Sequence, residues 1–187
     1  MAHIGVLALQ GDYEKHARSL ERAGAQVSEV RTAAELDLVD GLVIPGGEST
    51  TMLKLLDREA LFEPLREFGS RKPIFGTCAG AILLASKVEN PEQVSLGLVD
   101  IAVQRNAYGR QLDSRVSRIE GEGFGTLEAV FIRAPIIRKT GPGVHVLASY
   151  NGDPVLVEEG HHLVATFHPE LSGDDRVHAY FLKKVTG

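Results

Sequence analysis

Short apolar runs alternate with helical patterns over residues 4–86, and this alternation is the feature that most limits how the chain can fold. Four of the runs have the length and apolar character of strands buried on both faces: Ile4–Leu9, Val27–Val30, Leu42–Ile44 and Pro73–Phe75. Strands and helices that alternate in this way predict a parallel sheet with helices on both of its faces.

Apolar residues at helical spacing fill the segments between these strands. Those that begin at Tyr13 predict a first helix ending at Gly24. Ser49 is expected to cap a second helical stretch, which Gly69 is expected to break. After a cysteine-containing turn, an apolar helix is expected from about Ala79, and a last helix is expected behind a capping box that begins at Ser172.

The middle of the chain changes character, because strand-like segments there are joined by Gly, Pro or Asn turns. These segments are Leu98–Gln104, Glu128–Arg133, Val144–Tyr150, Val155–Glu158 and Leu163–Phe167. We expect them to extend the sheet and to form a smaller antiparallel layer. The predicted fold is therefore a three-layer, doubly wound, mostly parallel α/β sheet in one domain over residues 1–187.

Charge and hydropathy exclude several classes of protein. Twenty-five acidic and 20 basic residues are mixed along the chain, for a net charge of −5, which disfavours nucleic acid or an anionic membrane as the main partner. The longest strictly apolar stretches, Val6–Leu9 and Ala81–Ala85, are far shorter than the roughly 20 residues of a membrane span. The N-terminus lacks a signal-peptide pattern, so we expect a soluble, cytoplasmic protein.

Cys78 is the chain's single cysteine, and it lies between a predicted strand and a predicted helix. The surrounding sequence, Gly76-Thr-Cys-Ala-Gly80, has the Gly-x-nucleophile-x-Gly pattern of a nucleophile elbow. The glycines leave room for the sulfur and a substrate, and the positive end of a helix favours a thiolate. The N–H of Ala79 is free to face a developing oxyanion. These features favour a nucleophile over the alternative, a packed core thiol.

A histidine with a candidate orienting acid follows the predicted strand Leu163–Phe167, at a strand end where ligand crevices form. His168 and Glu170 are separated by one proline, and in an extended segment both side chains would lie on the same side. Glu170 could then accept a hydrogen bond from the imidazole, as the third member of a catalytic triad does. His161 and His162 are expected at the surface. The other four histidines have no neighbouring motif: His3, His16, His145 and His178.

A glycine-rich loop, Pro45-Gly-Gly-Glu-Ser-Thr50, ends the third predicted strand. Its backbone can present N–H groups to a substrate. A phosphate site is disfavoured, because the Gly-Lys-Ser/Thr ending of a P-loop is absent. Combined with the elbow, the loop predicts an oxyanion hole built from the N–H groups of Gly47 and Ala79, each worth about 3 kcal/mol of transition-state stabilisation.

Together these motifs resemble the triad class I glutamine amidotransferases, because the elbow and His-Pro-Glu stand in that family's order, about 90 residues apart. The resemblance is most specific for the glutaminase subunits of pyridoxal 5'-phosphate synthases, and it covers essentially the whole chain. The segments that carry it are Gly5–Asp12, Pro45–Thr51, Gly76–Gly80, Gln104–Gly109, Phe131–Pro135 and Thr166–Glu170.

The resemblance implies a flavodoxin-like fold and a role for each matching residue. Cys78 would be the nucleophile, His168 the general base and Glu170 its orienting partner. Gln10 would lie near the oxyanion site and the contact with a separate (β/α)8-barrel synthase subunit. That partner would use the ammonia to build the vitamin B6 coenzyme. Glutamine would be held by Gly46, Gly47, Glu48, Arg105, Ile132 and Arg133.

The resulting hypothesis is a two-step acyl transfer. The Cys78 thiolate attacks the amide carbon of L-glutamine, His168 protonates the leaving ammonia, and water hydrolyses the γ-glutamyl thioester. This chemistry needs no metal or organic cofactor, and no metal-ligand spacing appears in the sequence.

Two alternatives stay open. The glutaminase of histidine biosynthesis shares elbow, triad and size, but the Gln10–Asp12 turn and the Gly-Gly-Glu-Ser-Thr loop disfavour it. A non-enzymatic elbow-cysteine redox sensor or chaperone-like module is disfavoured by His-Pro-Glu, because a sensor needs no such acid–base pair.

Overall fold

The structure is a computed structural model that describes residues 1–106 and 114–187. Its strands, in chain order, are β1 His3–Leu7, β2 Gln26–Val30, β3 Gly41–Ile44, β4 Ile74–Thr77, β5 Ala85–Glu89, β6 Val99–Gln104, β7 Ser114–Gly121, β8 Gly125–Ile132, β9 Ile136–Thr140, β10 His145–Tyr150, β11 Asp153–Glu159 and β12 His162–Ala165. Its helices are α1 Tyr13–Arg22, α2 Ala33–Leu36, α3 Ser49–Arg58, α4 Phe62–Arg71, α5 Ala79–Leu84 and α6 Arg176–Thr186. Within the described ranges no helix is long and apolar enough to cross a membrane.

Nine of the strands form one sheet, in the order β2-β1-β3-β4-β12-β11-β10-β7-β8. The five strands from β2 to β12 are parallel, and the remaining four extend the sheet in antiparallel fashion. A second sheet has the order β5-β6-β9. The predicted fold class is confirmed, although the small second layer is mixed, because β5 pairs with β6 in parallel and β9 pairs with β6 antiparallel.

The parallel strands are buried on both faces, as their continuous apolar runs predict. Successive residues of β3 point to opposite sides, so Leu42 and Ile44 join one hydrophobic cluster and Val43 joins the other. Helices α1 and α6 cover the Val43 side through Leu20 and Phe181. Helices α2 to α5 and the second sheet cover the opposite side.

Two predictions about the helices after β3 are wrong. Ser49 is the first residue of α3 rather than its cap; the N-cap is Glu48, whose side chain accepts a hydrogen bond of 3.2 Å from the N–H of Thr50. Gly69 does not break α4, which continues to Arg71. A Cβ at Gly69 would press on the ends of the Leu98 and Ile74 side chains, so the helix packs closely against them at this glycine.

The capping box expected to begin at Ser172 is wrong. The hydroxyl of Ser172 accepts a hydrogen bond from the N–H of Asp174 at 3.2 Å and does not reach the helix. The first N–H of α6, that of Arg176, instead donates to the Asp174 carboxylate at 3.0 Å.

The expected surface position of His162 is also wrong. His162 is buried in β12, and its Nδ1 accepts from the N–H of Ile74 at 3.1 Å. Burial lowers the pKa of His162 to about 4, so its imidazole is neutral.

Candidate active site

Cys78 occupies the turn between β4 and α5 with φ 52° and ψ −105°. A left-handed φ is costly for a residue with a side chain and persists only where the surroundings enforce it. Here the N–H of Cys78 donates to the carbonyl of Ala165 at 2.9 Å, and its carbonyl accepts from the N–H of Ile82 at 3.2 Å. The turn is thus fixed to β12 on one side and to helix α5 on the other.

The two glycines that flank the elbow are needed for backbone packing as well as for access to the sulfur. A Cβ at Gly76 would stand 2.5 Å from the carbonyl oxygen of Gly80. A Cβ at Gly80 would collide with the carbonyl oxygen of Ile44, at the end of β3. Glycine at both positions therefore lets β4 and α5 close tightly against β3 and present Cys78 at the crevice.

His168 and Glu170 meet directly, with His168 Nδ1 and Glu170 Oε2 2.8 Å apart. The predicted extended geometry is wrong, because Pro169–Leu171 forms a short 3-10 helix that begins straight after the histidine. The backbone of His168 is fixed by donation from its N–H to the carbonyl of Val130 in β8, at 2.8 Å. Because Nδ1 is bound to the carboxylate, Nε2 is the ring nitrogen left for the cysteine.

The electrostatic surroundings of His168 favour its protonated form. Burial opposes the charge, but hydrogen bonds and charge interactions with Cys78 and Glu170 outweigh burial and raise the pKa of His168 to about 10. At neutral pH the imidazole is therefore an imidazolium.

The glycine-rich loop lies directly against these two residues. A Cβ at Gly46 would stand 2.6 Å from His168 Cε1 and 3.2 Å from Cys78 Cβ. On another side, Cys78 Sγ lies 3.7 Å from the carbonyl oxygen of Ile132 at the end of β8. Segments at the ends of β3, β8 and β12 therefore converge on the cysteine, which itself follows β4.

A cavity of about 510 Å³ opens at this point. Eight residues predicted to form the site line it: Gly46, Gly47, Glu48, Cys78, Arg105, Ile132, Arg133 and His168. The other three predicted residues do not line the cavity. Glu170 is buried behind His168, Ala79 is the first residue of α5, and Gln10 lies beside the lining residues Gly11 and Asp12.

Charges of both signs stand at the cavity. Arg105 is only 8% exposed, unlike the solvated arginine its isolated position would suggest, and its guanidinium lies 3.4 Å from the carboxylate of Glu48. Burial raises the pKa of Glu48, but hydrogen bonds from Thr50 and the charges of Arg105 and Arg133 bring it below its usual value. Glu48 is therefore a carboxylate facing two cations. Residues 107–109 of the Gln104–Gly109 motif lie outside the described residues.

Two buried histidines behind the site were not predicted. His16 and His178 are fully buried, 2.9 Å apart, and His16 Nε2 lies 3.5 Å from Glu170 Oε1. They lie on α1 and α6, far apart in the sequence, so no local motif joins them. The signal available was their helical spacing from core residues, because Leu20 follows His16 by four positions and Phe181 follows His178 by three.

This combination of fold and site is the architecture of class I glutamine amidotransferases. They have an open α/β sheet in which a cysteine elbow follows one central strand and a histidine–glutamate pair follows the neighbouring strand of the sheet. The model of the SNO glutamine amidotransferase family matches residues 6–187. The chain belongs to this family.

Individual relatives match nearly the whole chain. A protein of Solibacter usitatus named pyridoxal 5'-phosphate synthase subunit PdxT is 59% identical, over 99% of this chain and 100% of its own length. The protein of the same name from Koribacter versatilis is 58% identical, over 97% of this chain and 95% of its own. A crystal structure of a glutamine amidotransferase superposes with a TM-score of 0.92 at 45% identity, covering 98% of this chain and 99% of that one.

Proposed function

We propose that this chain is the glutaminase subunit of a pyridoxal 5'-phosphate synthase, and that Cys78, His168 and Glu170 are its catalytic triad. The observation that carries the proposal is the meeting of three groups, of which Cys78 and His168 line one cavity and Glu170 lies buried behind His168. A cysteine in a strained turn contacts a histidine whose other ring nitrogen is bound to a buried carboxylate. The names of the 59% and 58% identical relatives support the same subunit.

The first half-reaction forms a thioester. The thiolate of Cys78 attacks the side-chain amide carbon of L-glutamine, and the carbonyl oxygen becomes an oxyanion. The imidazolium of His168 then gives its proton to the amide nitrogen, so that the carbon–nitrogen bond breaks and ammonia leaves. Since His168 already carries this proton at rest, its first role in turnover is that of the acid.

The second half-reaction releases glutamate. The now neutral His168 takes a proton from water as the hydroxide attacks the γ-glutamyl thioester, and the thiolate of Cys78 is the leaving group. Both tetrahedral intermediates need donors for their oxyanion. In our proposal these are the N–H of Ala79, which has no partner inside α5, and an N–H of the glycine-rich loop at Gly47.

The charges at the cavity match the backbone groups of a free amino acid. The carboxylate of Glu48 suits the α-ammonium group of glutamine, and the guanidinium groups of Arg105 and Arg133 suit its α-carboxylate. Gly46 and Ile132 line the same cavity. This arrangement would select a zwitterion whose side-chain amide reaches Cys78.

The partner belongs to the same proposal. The ammonia would pass to a (β/α)8-barrel synthase subunit, and Gln10 would lie at the contact with it. We take residues 1–187 to be one glutaminase domain that acts in the cytoplasm, where reducing conditions keep Cys78 a free thiol.

A reconstituted synthase tests this function. The chain is mixed with a pyridoxal 5'-phosphate synthase subunit, pentose phosphate, triose phosphate and glutamine labelled with ¹⁵N in its side-chain amide. We expect labelled coenzyme from the parent chain. The Cys78→Ala chain should give coenzyme with added ammonium chloride but not with glutamine. Glutamate release without any transfer of ¹⁵N would reject this partner, and no release at all would reject the glutaminase.

A further inference from the structure

A chain of buried polar groups continues behind the candidate triad into helices α1 and α6. His178 Nε2 lies 2.9 Å from His16 Nδ1. His16 Nε2 lies 3.3 Å from the hydroxyl oxygen of Thr77, the residue before the nucleophile, and 3.5 Å from Glu170 Oε1. Both histidines are fully buried. His16 therefore contacts the elbow and the acid of the triad at the same time, and His178 contacts His16 from behind.

Both imidazoles are neutral. Burial lowers the pKa of His178 to about 4, and it lowers the pKa of His16 well below the usual value, with His178 and His168 adding to the effect. The contact between His16 and Glu170 is thus a neutral donor facing a carboxylate, and not an ion pair of two charges.

The hydrogen-bond partners determine the tautomers of the two rings. Among the described residues His178 Nδ1 has no partner, so a proton there would be a buried unsatisfied donor. Its proton is therefore on Nε2, and it is donated to His16 Nδ1. That leaves the proton of His16 on Nε2, the nitrogen that faces Thr77 and Glu170.

Glu170 has one oxygen in need of this donor. Its Oε2 is bound to His168 Nδ1, while its Oε1 is buried without a hydrogen-bond partner at normal distance in the described part of the chain. A carboxylate oxygen left unsatisfied in a buried site is costly. The N–H of His16 is the donor that stands 3.5 Å away.

We propose that His16 and His178 are positioning residues for Glu170, forming a relay in which His178 orients the N–H of His16 and His16 holds the free oxygen of the carboxylate. This role rests on the proposed place of Glu170 in the glutaminase triad. The relay keeps Oε2 directed at His168 and links the acid to Thr77, the residue before the nucleophile. No proton is transferred along it.

Two pairs of titratable or charged side chains flank the relay. Glu170 and His168 lie on its active-site side, and Asp175 and Arg22, 2.8 Å apart, lie on the side of His178. Phe75 of β4 packs edge-on against both imidazole rings. In these surroundings the Glu170 oxygen without a hydrogen-bond partner among the described residues is the group that the His16 N–H faces.

Matched substitutions of His16 test the relay. His16→Gln keeps an N–H donor at the position of Nε2, whereas His16→Met keeps the volume and removes the donor. In the complex with the synthase subunit, His16→Met should lower kcat for glutamine hydrolysis on the order of tenfold with KM unchanged. It should also move the alkaline limb of the kcat/KM profile to lower pH, because a misplaced carboxylate stabilises the His168 imidazolium less. His16→Gln should retain most of the parental kcat and most of the parental position of the alkaline limb.

Two controls separate positioning from general stability. His162→Met removes another buried histidine that makes a hydrogen bond, at 3.1 Å to Ile74, and should lower thermal stability without moving the pH profile. In the Glu170→Gln background, His16→Met should add little further loss, since the group it positions is already altered. Additive losses in the double variant, or equal losses in His16→Gln and His16→Met, would overturn the relay.

A readout without turnover keeps the relay testable if the glutaminase itself fails. Long-range ¹H–¹⁵N spectra of the ¹⁵N-histidine-labelled full chain report the tautomer of each imidazole. We expect His16 and His178 both neutral and protonated on Nε2 from pH 6 to 8. A proton on Nδ1 of either ring, or a charged His16 at pH 7, would contradict the proposal even in a protein that hydrolyses glutamine normally.

Discussion

The side-chain amide of Gln10 donates a hydrogen bond of 2.7 Å to the carbonyl oxygen of Glu48. The same amide covers Gly47, since a Cβ at that glycine would stand 2.7 Å from Gln10 Nε2. The neighbouring Gly11 approaches the carbonyl oxygen of Gly46 so closely that a Cβ there would collide with it. The turn after β1 is therefore in direct contact with the loop that we propose to supply an oxyanion donor.

This contact leads to a prediction about activation by the partner. We expect hydrolysis by the isolated chain to be weak and to rise strongly when the synthase subunit docks, because coupling saves glutamine only if a catalytic element is completed in the complex. Gln10→Ala should lower the partner-stimulated rate on the order of tenfold. Gln26→Ala, at an exposed glutamine on β2, is the control. Turnover is measured against added synthase subunit, and full activity of the isolated chain would exclude this gating.

Gly47 should not tolerate a side chain. Its φ of 128° is strained for any other residue, and the added methyl group would press on Gln10. We expect Gly47→Ala to lower kcat about 10²-fold or more, the loss typical of one missing oxyanion donor, with little change in KM. Gly24→Ala is the matched control, because Gly24 also has a positive φ, 103°, but has open space around it. Equal kcat losses in both variants would show that backbone strain alone is responsible.

Arg105 and Glu48 should govern binding rather than chemistry. Arg105→Met and Glu48→Gln each remove one charge proposed to hold the backbone of glutamine, so KM should rise on the order of tenfold or more while kcat changes less. Arg118→Met, at an exposed arginine on β7, should change neither. Steady-state kinetics with the complex give both constants. A KM that stays constant in both site variants would place the substrate's backbone elsewhere.

Glu170 should set the alkaline limit of activity. Burial opposes the charge of His168, but contacts with Cys78 and then with Glu170 raise its pKa to about 10, so the imidazolium is lost only as the pH rises through that value. Glu170→Gln removes the negative charge, and the alkaline limb of kcat/KM should therefore move to lower pH. Its kcat should fall less than that of His168→Asn, because Glu170 orients the imidazole and His168 transfers the proton. A silent Glu170→Gln would reduce the triad to a dyad.

The sequence was informative wherever one local pattern determined one local structure. The runs that became β1, β3 and β4 are apolar throughout because these strands are buried on both faces, and Gly76 and Gly80 marked the turn at Cys78 because only glycine fits there. Local patterns also misled. Ser49 is a common N-cap residue, yet Glu48 caps α3 because its side chain also reaches Thr50 and Arg105.

Features created by long-range packing could not be read in advance. Arg105 is buried and its guanidinium lies against Glu48, 57 residues earlier in the chain. The pairing of His16 with His178 depends on the packing of α1 against α6 across one face of the sheet. No spacing rule connects such positions, although a histidine on an inward helical face is a reason to look for a buried partner.

The most direct test of the account compares glutamate release by the parent chain and by Cys78→Ala. Both are saturated with glutamine and with the synthase subunit and matched in thermal stability. Every covalent step of the proposed mechanism takes place at the sulfur of Cys78, so the variant should lose at least about 10³-fold in rate. A glutamine-like electrophile should also add its mass to the Cys78 peptide of the parent chain. A folded Cys78→Ala protein that releases glutamate at nearly the parental rate would contradict the mechanism.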